Sequence, residues 1–168
     1  MAIGFVSELK FAFQNIRKTR LQLHSLLETL QASTDLLFIQ ELPIYKVRNL
    51  ASATSEEGDP LISSASHPQW VCVDKRSVYP ESQVAIYVNK RILPTFSLFM
   101  DPFEVLSPNV LTLRLTRNTD QSSAMFVCLY NRPTTRNEAV NTLISTLPLL
   151  DLVISQLARE PAYLSSHT

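Results

Sequence analysis

At 168 residues this chain is long enough for one domain with a buried core and short for two. It is 45% hydrophobic and 18% charged with a formal net charge of zero, which excludes a global basic field, so any nucleic-acid binding has to be local. No apolar stretch reaches membrane-spanning length, and the opening Met1–Phe13 has no basic start or small-residue cleavage site; the expectation is a soluble intracellular protein, nuclear or cytoplasmic, with no membrane contact.

In chain order, residues from about Glu8 to Asn15 read as a strand, with Leu9, Phe11 and Phe13 alternating. Thr19 and Gln22 have capping-box spacing, and the helix they open carries Leu23, Leu26, Leu27 and Leu30 on one face. Asp35 leads into Leu36–Ile39, an apolar run suited to a strand buried on both faces. Leu42 to Pro68 is a long polar connection. Three strands are expected next, at Trp70–Val73, Val84–Val88 and Val110–Leu115. In the last, Val110, Thr112 and Arg114 lie on one side and Leu111, Leu113 and Leu115 on the other. After a polar turn, Met125–Tyr130 forms another strand, running into Asn131-Arg132-Pro133. Thr135 and Glu138 form a second capping box for a helix through Leu147, and Leu150–Leu157 continues as a further helix after a kink at Pro148. The chain has 2 glycines against 10 prolines, so proline supplies most turns and few positions accept a positive φ comfortably.

The chemistry lies at the ends of the first two strands. A strand–helix–strand unit sets its strand ends side by side, which places Asn15 next to Glu41, just past Gln40, at one edge of a sheet. An amide and a carboxylate converging there can hold a hard cation such as Mg²⁺. Each residue also has a plainer reading. Glu41 could be a solvated strand-end residue, Asn15 a turn or cap residue, and Tyr130 an ordinary half-buried tyrosine. Arg17, Lys18 and Arg20 could meet phosphates, although a solvated cluster before a helix is the commoner outcome. Cys72 and Cys128 sit in apolar runs and read as buried free thiols, Trp70 as a core anchor, His24 as exposed and His67 as a loop residue.

The ordered set Gln14-Asn15, Phe38-Ile39-Gln40-Glu41, Val84-Ala85-Ile86-Tyr87-Val88 and Cys128-Leu129-Tyr130-Asn131-Arg132-Pro133 resembles the N-terminal half of the endonuclease/exonuclease/phosphatase superfamily. Asp35–Glu41 and His67-Pro68-Gln69-Trp70 are most similar to the endonuclease domain of non-LTR retrotransposon polyproteins, fungal ones in particular. The resemblance spans about residues 8 to 150. It implies an α/β fold: the first half of a four-layer, DNase-like two-sheet sandwich with mixed sheets and flanking helices. It also implies Mg²⁺, or Mn²⁺ in its place, and phosphodiester hydrolysis on DNA. Carried over by position, it implies Glu41 and Asn15 at the metal, Tyr130 and Asn131 in the catalytic set, and Arg17, Lys18 and Arg132 as phosphate contacts.

The superfamily completes its site with a Gly-Asp-Phe-Asn strand end and a later Ser-Asp-His, and neither motif is in this sequence. Ser166-His167 is only superficially like the second and reads as an exposed terminal histidine. The expectation is therefore a single C-terminally truncated domain over 1–168, catalytically incomplete, with an inactive remnant or interaction fragment as the alternative. About one sheet is expected, so that its inner face lacks a partner sheet and invites self-association.

Overall fold

A computed structural model describes residues 8–43, 45–47, 61–100, 105–131, 141 and 152–154. In chain order the elements are β1 (Phe11–Asn15), α1 (Arg20–Leu30), β2 (Leu36–Gln40), β3 (Tyr45–Val47), β4 (Leu61–Ser63), β5 (Trp70–Asp74), β6 (Val84–Asn89), β7 (Phe96–Phe99), β8 (Val110–Arg117), β9 (Ser123–Leu129) and β10 (Leu152–Ile154). They form a mixed α/β structure with two four-stranded sheets, ordered β1-β2-β6-β5 and β10-β9-β8-β7, and a small β3-β4 ladder.

The two large sheets face each other. Alternate residues of each point into the gap: Leu36, Phe38, Val84, Ile86 and Val88 from the first, Leu111, Leu113, Leu115, Phe126 and Cys128 from the second. The expectation of one sheet with an uncovered inner face is thus corrected. β7, β8 and β9 are close enough in sequence to pair as a meander, and β10 adds a fourth strand in parallel with β9. The gap closes toward β1 with Phe11, Phe13, Phe38 and Phe126, of which Phe13 and Phe38 stack at 4.7 Å.

The other face of the first sheet carries α1. Leu23 and Leu27 are fully buried against Leu37, Ile39, Ala85 and Tyr87. Each such leucine contributes about 1.5–3 kcal/mol by leaving water. The helix is tied to the sheet by Trp70, whose Nε1 donates to the Leu27 carbonyl at 3.0 Å. The expected capping box does not form. Thr19 is the N-cap with extended backbone, but its hydroxyl makes no capping bond. It turns back to the Arg17 carbonyl at 3.5 Å, because the chain enters the helix from a tight left-handed turn.

Three further expectations change. The long polar connection contains β3 and β4, paired antiparallel from Tyr45↔Ser63 to Val47↔Leu61. Leu152–Ile154 is a strand and not a continuing helix, because β9 offers a free edge there and the β-branched Val153 and Ile154 suit it. β7 carries no strong alternation and was not expected. The helix opened by Thr135 lies outside the described residues apart from Asn141, which is helical.

Candidate functional site

β1 and β2 run parallel, from Phe11↔Leu36 to Asn15↔Gln40. This register puts Asn15 beside the end of β2, and Glu41 is the next residue. Asn15 Nδ2 donates to Glu41 Oε1 at 2.9 Å, while Asn15 Oδ1 accepts from the Arg17 backbone N–H at 3.0 Å. The chemistry fixes the amide orientation, since the Arg17 N–H can donate only to the amide oxygen and the Glu41 carboxylate can accept only from the amide NH₂. Asn15 therefore presents its NH₂ to Glu41 and serves as an orienting partner.

Tyr130 arrives from the other sheet. Its hydroxyl donates to the same Glu41 Oε1 at 3.2 Å. This contact is the last of three successive bridges across the gap. Cys128 Sγ donates to the Ile39 carbonyl at 3.7 Å, and Gln40 Nε2 to the Leu129 carbonyl at 2.6 Å. Residues 39, 40 and 41 thus meet residues 128, 129 and 130 in step. Burial raises the Cys128 thiol to about 12 from an ordinary 9.0, so it is a packed, protonated donor and not a nucleophile. Cys72 is likewise raised to about 12 by burial and by the nearby Asp74 charge.

Glu41 has φ 54°, in the left-handed region, and so do Arg17 at 47° and Lys18 at 59°. None is glycine, and each such residue costs about 1–2 kcal/mol. The segments hold one another: Lys18 N–H donates to the Glu41 carbonyl at 2.8 Å, and Ile16 N–H to the Gln40 carbonyl at 3.1 Å. Strain of this kind persists only where the surroundings over-determine it, and it concentrates at functional sites. The side chains of Arg17 and Lys18 are exposed.

The donor set fits a hard, largely hydrated cation. Mg²⁺ is usually held by one or two carboxylates, with water and phosphate oxygens completing its shell. Among the described residues no cluster of three or more His, Cys, Asp or Glu is present, so the candidate site rests on Glu41 with its amide and hydroxyl partners. Three buried side-chain oxygens have no partner among the described residues: Gln83 Oε1, Asn109 Oδ1 and Asn131 Oδ1. The Gln83 carbonyl accepts from Leu42 N–H and the Asn109 carbonyl from Tyr130 N–H, which places both residues at the same end of the sandwich. Orphaned acceptors there suit the waters of a hydrated ion.

Of the residues singled out from the sequence, Asn15, Glu41 and Tyr130 are brought together, Asn131 follows directly, and Arg17 and Lys18 flank the group. Arg132 lies outside the described residues. His67 is more than a loop residue: its Nε2 faces Glu28 Oε1 on α1 at 3.1 Å, and its Nδ1 accepts from Gln69 N–H at 3.1 Å. The sequence reading missed the roles of Gln40 and Arg76. A glutamine closing a fully buried strand was the visible sign of the first. Arg76 bonds the Leu42, Pro43 and Ser82 backbone carbonyls, contacts that leave no pattern in the sequence.

No family model matches the chain, and no curated protein does. Among solved structures it is similar to the endonuclease domain of TRAS1, a telomere-specific non-LTR retrotransposon, at 14% identity and a TM-score of 0.47, over 82% of this chain and 52% of that one. The chain thus spans about half the length of that domain, and the chemistry open to it is set by the residues at the end of its own sandwich.

Proposed function

We propose that the chain carries the metal- and phosphate-binding half of a Mg²⁺-dependent phosphodiesterase site of endonuclease type, with DNA as substrate. The observation that supports this is the convergence of Asn15 and Tyr130 on one oxygen of Glu41, at 2.9 and 3.2 Å, from two different sheets. Glu41 holds the cation. Asn15 and Tyr130 orient the carboxylate by holding one of its oxygens. Arg17 and Lys18, with Arg132 by the sequence resemblance, meet the phosphate backbone, and Asn131 lines the groove. When bound, Mg²⁺ or Mn²⁺ lowers the pKa of a coordinated water and neutralises charge on the phosphate oxygens.

The alternative is a non-enzymatic remnant that binds metal and DNA without cutting. It differs from the first in lacking a group that orients the nucleophile for in-line attack. Both readings expect Mn²⁺ binding that Glu41→Ala abolishes. Plasmid nicking in Mg²⁺ separates them: Glu41-dependent nicking establishes an enzyme within these residues, and metal binding without nicking establishes the half-site. Absence of metal binding overturns both.

A further inference from the structure

Glu41 is fixed by its neighbours on both sides. Before it, Gln40 is buried and donates to the Leu129 carbonyl at 2.6 Å. After it, the Arg76 guanidinium, 3% exposed, gathers the chain: Nη2 donates to the Leu42 carbonyl at 2.9 Å and Nη1 to the Pro43 carbonyl at 2.7 Å. Nε and Nη2 both reach the Ser82 carbonyl at 3.3 Å, so one side chain ties the exit from Glu41 to the entry of β6. Arg76 is itself held by its backbone N–H on Asp74 Oδ1 at 2.8 Å. Leu42 N–H bonds the Gln83 carbonyl at 3.1 Å, so both polar groups of the residue after Glu41 are engaged.

We propose that Gln40 and Arg76 are positioning residues: together they hold Glu41 in its left-handed conformation, so that its carboxylate faces Asn15 and Tyr130 rather than solvent. This deepens the Glu41 site proposed above and rests on it. A planar fork can bind adjacent carbonyls at fixed angles, and a lysine ammonium cannot, so Arg76→Lys keeps the charge and loses the geometry. A buried arginine that merely satisfied loop carbonyls would contribute to stability alone. Lys75 supplies the comparison. It is fully buried next to Arg76 in sequence, and its Nζ bonds the Val105 and Ser107 carbonyls.

The test measures Mn²⁺ affinity by electron paramagnetic resonance, melting temperature by circular dichroism, and the Asn15 side-chain amide resonance in metal-free protein. Arg76→Lys is expected to weaken Mn²⁺ binding about tenfold, as outer-sphere partners of metal ligands do, and to move the Asn15 amide signal toward its solvent-exposed position. Gln40→Met, which keeps the volume and removes the clamp on the other side, is expected to move both readouts the same way and covers the case in which Arg76→Lys does not fold. Lys75→Met lowers the melting temperature and changes neither. Wild-type affinity and an unmoved Asn15 signal in folded Arg76→Lys and Gln40→Met overturn the proposal. If the wild-type protein binds no Mn²⁺, the metal reading fails, and the Asn15 resonance still decides whether the two residues position Glu41.

Discussion

Tyr130 Oη donates to Glu41 Oε1 at 3.2 Å, and this bond joins the residue after the last core strand of one sheet to the residue after a core strand of the other. Its geometry depends on sandwich packing, so it reports whether the two sheets are in register. Tyr130→Phe removes the donor and keeps the ring, and is expected to cost about 0.5–1.5 kcal/mol in urea unfolding. Glu41→Gln keeps the shape and leaves the midpoint nearly unchanged while removing Mn²⁺ binding. A Glu41→Gln protein that binds Mn²⁺ as wild type does would show that the cation sits elsewhere.

The turn before α1 gives a prediction of opposite sign. Arg17 and Lys18 both have positive φ, and Thr19 N–H closes the turn on the Ile16 carbonyl at 2.8 Å, the φ pattern of a type I′ turn usually reserved for Asn-Gly. Arg17→Gly or Lys18→Gly relieves the crowding, offset in part by a more flexible unfolded chain, and should stabilise the fold by roughly 0.5–1 kcal/mol each. If these cations meet phosphates, the same variants weaken DNA binding and lower its salt dependence by about one unit of slope each. More stability with less binding is the expected trade at a strained site.

The thiols set a pH limit. Both cysteines have folded-state pKa values near 12 against an ordinary 9.0, because burial disfavours the thiolate. Above pH 9 the unfolded chain loses thiol protons that the folded chain keeps, so stability falls as pH rises from 9 toward 12 and is unaffected by these groups below 9. A cysteine-free variant, Cys72→Ala with Cys128→Ala, should lose this slope while starting from a lower stability. At pH 8 Cys128 of the native protein should react with an aromatic disulfide reagent only as fast as the protein unfolds, whereas half-buried Cys72 can react faster. Rapid labelling of Cys128 would contradict its burial between the sheets.

How much could be read from the sequence follows from which forces are local. The i, i+3, i+4, i+7 leucines of α1 and the alternation in β8 declare their faces because periodicity is the signal of one-sided burial. Asn15 beside Glu41 was legible for the same reason, since a parallel β1–β2 pair follows from strand–helix–strand order. What could not be read was non-local. The second sheet depends on β7 and β10, short strands that exist because β8 and β9 offer edges to pair with. The three-step bridge from Cys128, Gln40 and Tyr130 depends on how the sheets dock. The left-handed Glu41 runs against its residue type, and the contacts around it, from Gln40, Arg76 and Lys18, join segments distant in sequence and leave no pattern there.

Trp70 offers the most direct check of the helix–sheet layer. It is the chain's one tryptophan, 3% exposed, and its Nε1 donates to the Leu27 carbonyl at 3.0 Å. Its emission in the folded protein should lie well to the blue of free tryptophan and shift red in a single step on unfolding. Trp70→Phe removes both the indole donor and part of the ring that fills the space under α1, and is expected to cost roughly 2–3 kcal/mol. Leu21, 79% exposed on the same helix, provides the contrast. Leu21→Ala should fall within about 0.5 kcal/mol of wild type, since it buries nothing in the folded state. Equal costs at the two positions would mean that α1 does not lie on the sheet with Leu23 and Leu27 facing inward, and with that the crossover placing Asn15 beside Glu41 would be lost.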